Sequence, residues 1–181
     1  MFRLQEKILL HQIKNGNQQT FAQFYDTYKE KIYRFIYFKV SDKEKAQELT
    51  NDVFMRIFDY IQKGNTIENF RAFLYQIARN LIIDFYRTRD HEALPIDEFI
   101  EENIPEKEDL EEKIDIKLDI EKIKESVKKL PDPYQEVIVL RFIEGMSFKE
   151  IARLISTTED NARQRAHRGI KKLKKMLKTP S

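Results

Sequence analysis

The stretch that most constrains this chain is Leu130 to Leu177, LPDPYQEVIVLRFIEGMSFKEIARLISTTEDNARQRAHRGIKKLKKML, because its caps fix two helices joined by a very short turn. Ser147 followed by Glu150 forms a capping box, and Met146 is placed to staple onto Ile151. A helix is therefore expected to start there, with Ile151, Ala152, Leu154 and Ile155 facing inward. Thr158 then serves as the N-cap of a second helix, with Glu159 and Asp160 in the first turn, where the helix dipole favours negative charge. In that helix Ala162, Ala166, Gly169, Ile170, Leu173 and Leu177 recur at steps of three and four. Arg163, Gln164, His167, Arg168, Lys171 and Lys175 point away from them. From Arg163 to Lys178 there are eight Lys or Arg and no Asp or Glu. A solvated basic helix end would account for the charge alone. Two capped helices at this spacing imply a helix-turn-helix whose second helix meets DNA phosphates and base edges.

The rest of the composition points to helices as well. Four Gly and five Pro in 181 residues leave little material for hairpins, and three-to-four spacing runs through the chain. The expected class is all-α, with two small helical domains joined by a flexible acidic linker and the helix-turn-helix at the carboxyl end. Cysteine is absent, which excludes disulfides, thiolate nucleophiles and cysteine-ligated metal sites within the chain. No apolar run approaches the roughly 20 residues that span a bilayer, and the amino terminus lacks a signal-peptide pattern, so no membrane insertion and a cytoplasmic location are expected. The net charge of +2 hides a partition: residues 1–89 carry +5, residues 90–129 carry −8 and residues 130–181 carry +5. Two basic ends flanking an acidic middle suggest two modules that face nucleic acid, joined by a segment that avoids DNA or occupies another basic surface.

Taken in order, Leu4, Ile8, Leu9 and Ile13 make a short amphipathic helix closed by Gly16 and Asn17. Phe21, Phe24, Tyr25, Tyr28, Ile32, Phe35 and Ile36 form a broad aromatic stripe on the next helix, most simply read as core. Ser41 with Glu44 reads as a second capping box, opening a helix that buries Ala46, Leu49, Val53, Ile57 and Ile61. Lys63, Gly64 and Asn65 break that helix. The run Phe70 to Arg89, FRAFLYQIARNLIIDFYRTR, then carries Phe70, Phe73, Leu74, Ile77, Ala78, Leu81, Ile82 and Phe85 on a core face. On its other side, Arg71, Tyr75, Gln76, Arg79, Asn80, Tyr86, Arg87 and Arg89 mix rings with cations. Rings and guanidinium planes stack on unpaired bases while the charges follow phosphates.

Phe21 to Arg89 followed, after a linker, by Leu130 to Leu177 resembles the two regions of the extracytoplasmic-function sigma factors. Order and spacing match. It implies that AQELTNDVF, with Glu48, Leu49, Asn51, Asp52 and Phe54, docks on the clamp helices of core RNA polymerase. It implies that Arg71, Phe73, Tyr75, Arg79, Asn80 and Arg87 face the melted minus-ten element, with the Lys63 to Asn69 loop, including Asn65, cradling a flipped base. The minus-thirty-five set is then Arg163, Gln164, Arg165, His167, Arg168 and Lys171. Phe73 stands where the family often has Trp, and Asn51 replaces a common Gln. Ser156 and Thr157 occupy the usual Gly-Ile turn, and Asn161 and Ala162 the usual Thr-Val. Gly169 replaces a usual Ala; since a mid-helix Gly costs roughly 1 kcal/mol against Ala, a less rigid recognition helix is expected.

The expected domains are 1–89, binding the polymerase clamp and the minus-ten element, an acidic linker 90–115, and 116–181, binding the minus-thirty-five element. The linker composition gives a solvated tether, whereas the resemblance implies that it threads the polymerase active-site cleft. The expected partners are core RNA polymerase, promoter DNA and an anti-sigma factor. No metal or other cofactor is expected. Catalysis is not expected either: His11, His91 and His167 are isolated from one another, and no glycine-rich phosphate loop, HExxH or GxSxG motif is present. An ordinary helix-turn-helix regulator of duplex DNA would have no use for the Phe70 to Arg89 face.

Overall fold

The computed structural model describes residues 8, 10–89 and 120–178, and these residues form helices and no strand, as the composition predicts. The expected acidic linker and the boundary at residue 116 lie outside the described residues. Helical residues 10–14 stop at Gly16, which takes φ +83° while the Asn17 N–H donates to the Gln12 carbonyl at 3.0 Å. Of the apolar residues expected inside this helix, Ile13 is buried but Ile8 is 52 % exposed. Leu4 and Leu9 lie outside the described residues.

Asn17 also begins the next helix, α1 (Gln18–Val40), because its side-chain oxygen accepts the Thr20 N–H at 3.1 Å. The aromatic stripe of α1 faces the core: Phe24, Ile32, Phe35 and Ile36 are buried, and Phe21, Tyr25 and Tyr28 pack against them. Helix α2 (Lys43–Gln62) buries Ala46, Leu49, Val53, Ile57 and Ile61 as expected, but Asp42 caps it rather than Ser41. Ser41 is already committed to closing α1 at φ +54°, where its N–H reaches the Tyr37 carbonyl at 3.0 Å. A residue held in the left-handed conformation cannot also adopt the extended backbone of an N-cap, so the cap moves on by one residue. Helix α3 (Phe70–Arg89) starts where the Asn69 side chain accepts the Ala72 N–H at 3.0 Å. Phe70 then meets Phe24 edge-on, with ring centroids 4.1 Å apart, in the aromatic centre shared by α1, α2 and α3.

The second unit consists of α4 (Ile120–Lys128), α5 (Asp132–Ile138), a π-helical turn at Val139–Ile143, α6 (Phe148–Leu154) and α7 (Glu159–Lys178). The Ser147–Glu150 capping box is present, with the Ser147 N–H and hydroxyl donating to Glu150 Oε2 at 2.8 and 2.7 Å. Ile151, Ala152, Leu154 and Ile155 are buried as their spacing predicts. The turn after α6 places Ser156 at φ +55°, in the position where the related pattern has Gly. Thr158 Oγ1 accepts the Asn161 N–H at 3.1 Å and opens α7. Ala162, Ala166, Gly169 and Leu173 are the buried side of α7. Gly169 is there for packing: a Cβ built on it would sit 2.8 Å from Ile138 Cγ1 and 3.4 Å from Tyr134 Cβ. The lost helix propensity thus lets α5 and α7 approach each other, which a looser helix would not explain.

Candidate nucleic-acid interface

On α7, burial separates two faces cleanly. Arg163, Gln164 and Lys171 are exposed, and Arg165, His167 and Arg168 are half-buried beside them. Arg163 pairs with Glu159 at 3.1 Å and lies over the Phe148 ring at 4.8 Å. Both partners of that ion pair are about half exposed, so it is worth only some 0.2–1 kcal/mol, little obstacle to exchanging Glu159 for a DNA group.

The α3 face is built differently. Asn80 and Arg87 are exposed, and Gln76 donates to the Asn80 side chain at 3.2 Å. Phe73 is half-buried against Tyr60, with ring centroids 4.6 Å apart. At the amino end of α3 the loop bearing Lys63 and Asn65 is exposed and fixed in place. Asn65 donates to the Tyr60 carbonyl at 3.1 Å, and Lys14 donates to the Gly64 carbonyl at 3.3 Å. Between this loop and the amino-terminal residues lies a cavity of about 330 Å³, lined by Leu10, His11 and Lys14 on one side and by Ile61 and Asn65 to Glu68 on the other. Its lining mixes apolar Leu10, Ile61 and Ile67 with polar and charged Lys14, Asn65, Thr66 and Glu68.

Tyr75, Arg71 and Arg79, expected on an open face, are occupied by the second unit. Tyr75 is fully buried, and its hydroxyl donates to Glu144 Oε2 at 2.7 Å. Burial, reinforced by the negative Glu144, pushes the Tyr75 hydroxyl far above the usual phenol range, so it remains a proton donor. Arg34 Nε donates to the other Glu144 oxygen at 2.9 Å, and the Glu144 side chain is 1 % exposed. Arg71 donates to the Glu144 backbone carbonyl. Arg79 pairs with Glu136 at 3.1 Å, and Lys39 pairs with Asp132 at 2.7 Å. The π-helical turn makes this possible: the Glu144 N–H bonds to the Val139 carbonyl at 2.9 Å, and Gly145 at φ +66° folds the chain back toward α6. Glu144 is thereby carried out of its own unit and into the first. Arg71 also acts on Glu150. Burial alone would raise that carboxyl, but the Ser147 hydrogen bonds, with Arg71 and Arg153 nearby, bring it below the usual glutamate range.

On α2, Glu48, Asn51 and Asp52 are exposed, whereas Leu49 and Phe54 are 4 % and 2 % exposed. The last two shape the helix surface from beneath rather than present themselves on it, because they are the rows that pack on α1 and α3. Met55, which the sequence pattern does not single out, is 60 % exposed next to this polar row.

Comparison with known proteins matches the two units separately. The family model for sigma-70 region 2 matches residues 24–92, and the one for sigma-70 region 4 matches residues 120–173. The chain belongs to the extracytoplasmic-function branch of the sigma-70 family. The extracytoplasmic-function RNA polymerase sigma factor SigW of Bacillus subtilis is 29 % identical over 93 % of this chain and 95 % of its own length. SigX of the same organism is 26 % identical over 88 % of this chain and 84 % of its own length. Among solved structures, CnrH in complex with the cytosolic domain of CnrY superposes with a TM-score of 0.70 at 23 % identity, covering 96 % of this chain and 97 % of CnrH. The sigma factor RpoE of Bartonella quintana, solved with the anti-sigma factor NepR, gives 0.66 at 22 % identity over 89 % and 98 %. At these identities the two structures speak for the fold.

In this sigma factor α1, α2 and α3 fall in region 2, and α4 to α7 fall in region 4. Arg34, Lys39, Glu136 and Glu144 escape the reading of the sequence, although they make polar contacts between the regions. The available signal is weak. Glu136 and Glu144 flank the largely apolar run VIVLRFI, and a charge beside such a run needs a partner from elsewhere in the fold.

Proposed function

We propose that this sigma factor binds core RNA polymerase through Glu48, Asn51 and Asp52 of α2 and reads promoter DNA at two places. Arg163, Gln164, Arg165, His167, Arg168 and Lys171 of α7 contact the minus-thirty-five duplex. Asn80, Arg87, Arg71 and Arg79 of α3, with Phe73 as a wedge, hold the melted minus-ten strand, and the cavity beside Lys63 and Asn65 receives an extruded base. Unstacking a base costs a few kcal/mol, which a fitted pocket offsets without any nucleotide hydrolysis. The chain thus starts transcription of a specific set of genes and does no chemistry itself. Its place of work is the cytoplasm, with the polymerase. The observation that carries this reading is the presence in one chain of an exposed basic recognition helix and a second cationic helix beside a base-sized cavity. Duplex reading alone would need only the first. A regulatory partner of the anti-sigma class is proposed by analogy with RpoE, which was solved bound to one.

Reconstituted transcription tests the reading. Core polymerase supplied with this chain is expected to initiate at a set of genomic sites sharing two elements, found by sequencing the transcripts. Asn80→Ala is expected to keep polymerase binding but to lose permanganate reactivity of thymines in the melted strand. No specific transcript from any genomic template would overturn the assignment, and full melting by Asn80→Ala would remove that residue from the minus-ten set.

A further inference from the structure

The first helix of the helix-turn-helix reaches the second through one ring. Phe148 is the first residue of α6, and the Ser147–Glu150 capping box fixes the backbone from which its side chain leaves. The residue is 7 % exposed, and two guanidinium groups lie over its ring, those of Arg141 and Arg163, each 4.8 Å from the centroid. Arg141 belongs to the π-helical turn and is anchored there, since its Nη1 donates to the Met146 carbonyl at 2.9 Å. Arg163 belongs to α7, and its half-exposed side chain has Glu159 as its other partner at 3.1 Å. Ring and carboxylate hold Arg163 in different ways. The carboxylate occupies the N–H edge of the guanidinium, which a base or a phosphate would also need. The ring attracts the cation through its face and leaves the N–H groups in the plane free. When DNA takes the place of Glu159, the hold of Phe148 therefore persists and limits the directions in which the N–H fork points.

We propose that Phe148 is a positioning residue for duplex reading: it keeps the Arg163 guanidinium aimed at the O6 and N7 acceptors of a guanine in the major groove. Phe148 acts through Arg163 and not by touching the base. A long side chain loses rotamer freedom when it binds, and a ring that has already restricted it reduces that loss. The effect is on specificity. A phosphate carries no sequence information, whereas the two acceptors of guanine require both N–H groups of the fork at once. The inference rests on the proposed reading that Arg163 meets the minus-thirty-five duplex.

Fluorescence anisotropy of the full chain tests it, with a duplex selected from a random pool and a scrambled duplex of the same composition. Phe148→Leu keeps the site apolar and removes the aromatic face. It is expected to weaken binding of the selected duplex about two- to fivefold, the range for loss of an exposed cation–π contact, and to leave the scrambled duplex unaffected. Phe148→Tyr restores the face and is expected to recover most of the loss. In an Arg163→Ala background Phe148→Leu is expected to cost nothing further, as for two residues that act through one contact. The guanines of the selected element can also be replaced one at a time by 7-deazaguanine, which lacks the N7 acceptor. One position is expected at which the wild type loses affinity and Phe148→Leu loses less. Equal losses on selected and scrambled duplexes overturn the proposal, as does a Phe148→Leu loss that persists in full without Arg163, since both mark a general disturbance of the helix-turn-helix. If Phe148→Leu fails to fold, Phe148→Met is read in the same way. Arg163→Ala alone separates the proposal from the reading beneath it. A loss there with none from Phe148→Leu removes the positioning role and leaves the reading, whereas no loss from Arg163→Ala removes both.

Discussion

Two helices of this sigma factor carry a basic face over an apolar one, and they present it in opposite ways. On α7 the cations Arg163 and Lys171 stand in solvent, and the ion pair that Arg163 makes with Glu159 is local and weak. On α3 the cations Arg71 and Arg79 are half-buried against carboxyl and carbonyl groups from the other region. Similar sequence patterns therefore give one surface ready for a ligand and one whose ligand must displace a neighbour. On the proposed assignment of α7 to duplex and α3 to the melted strand, the difference suits the order of events at a promoter, since duplex DNA is present from the start and a single strand exists only after melting.

The sharpest way to break this comparison is to remove cations from the open helix. Arg163→Ala and Arg168→Ala together are expected to weaken binding to a duplex selected from a random pool by about 1 to 3 kcal/mol for each base edge no longer held. Arg79→Ala is expected to leave that duplex affinity of the free chain untouched, because its partner is Glu136. Fluorescence anisotropy with the two variants measures this directly. Equal losses from Arg79→Ala and from the α7 pair would mean that the two faces are not distinct.

A smaller effect is expected from the closed face. Tyr75→Phe keeps the ring, which packs edge-on against Phe35 at 5.3 Å, and removes only the hydroxyl that serves Glu144 Oε2. A buried carboxylate oxygen deprived of its donor costs about 1 to 3 kcal/mol. The urea midpoint is expected to fall accordingly, and amide exchange is expected to rise at the π-helical turn and along α3. Burial holds the Tyr75 hydroxyl protonated throughout the working pH range, so the difference between wild type and Tyr75→Phe should not vary between mildly acidic and mildly basic buffers. An unaltered midpoint with unaltered exchange would show that the closed face is held by something other than Glu144.

The same contrast explains what is legible in the sequence. The Ser147–Glu150 box, the inward rows of α2 and the buried stripe of α7 follow from spacing within a single helix, and they are readable because local geometry determines them. Tyr75 is not readable. Helical periodicity places it opposite the core stripe, whereas its ring packs against Phe35 of α1 and its hydroxyl is met by a residue 69 positions later. Phe54 carries the same lesson in reverse: a stretch of α2 reads as one docking surface, while the helix turns Phe54 inward together with the expected Leu49. The cap of α2 lies one residue beyond the expected Ser41 because Ser41 serves the preceding helix, a competition visible only once α1 has an end. The DNA and polymerase roles come from the resemblance to a family, and the geometry adds which of those residues stand exposed in the free chain.

The seat of the open helix offers the smallest and most delicate test. Gly169→Ala sets two effects of opposite sign against each other at one position of α7. Alanine gains roughly 1 kcal/mol of helix propensity over a mid-helix glycine. Its methyl group, however, would lie 2.8 Å from Ile138 Cγ1 and 3.2 Å from Ile138 Cδ1, closer than carbon atoms tolerate. Ile138 is β-branched, 3 % exposed and at the end of α5, so it cannot swing aside without moving the start of the π-helical turn. Overpacking of this kind costs about 1 to 3 kcal/mol, so packing wins and the variant is expected to lose about 1 kcal/mol net. Thermal melting measures the loss, and Ile138→Val in the Gly169→Ala background is expected to return part of it by removing the Cδ1 clash. A stabilised Gly169→Ala would mean that α5 and α7 are free to separate, and that the α7 basic face is held in place less firmly than its packing indicates.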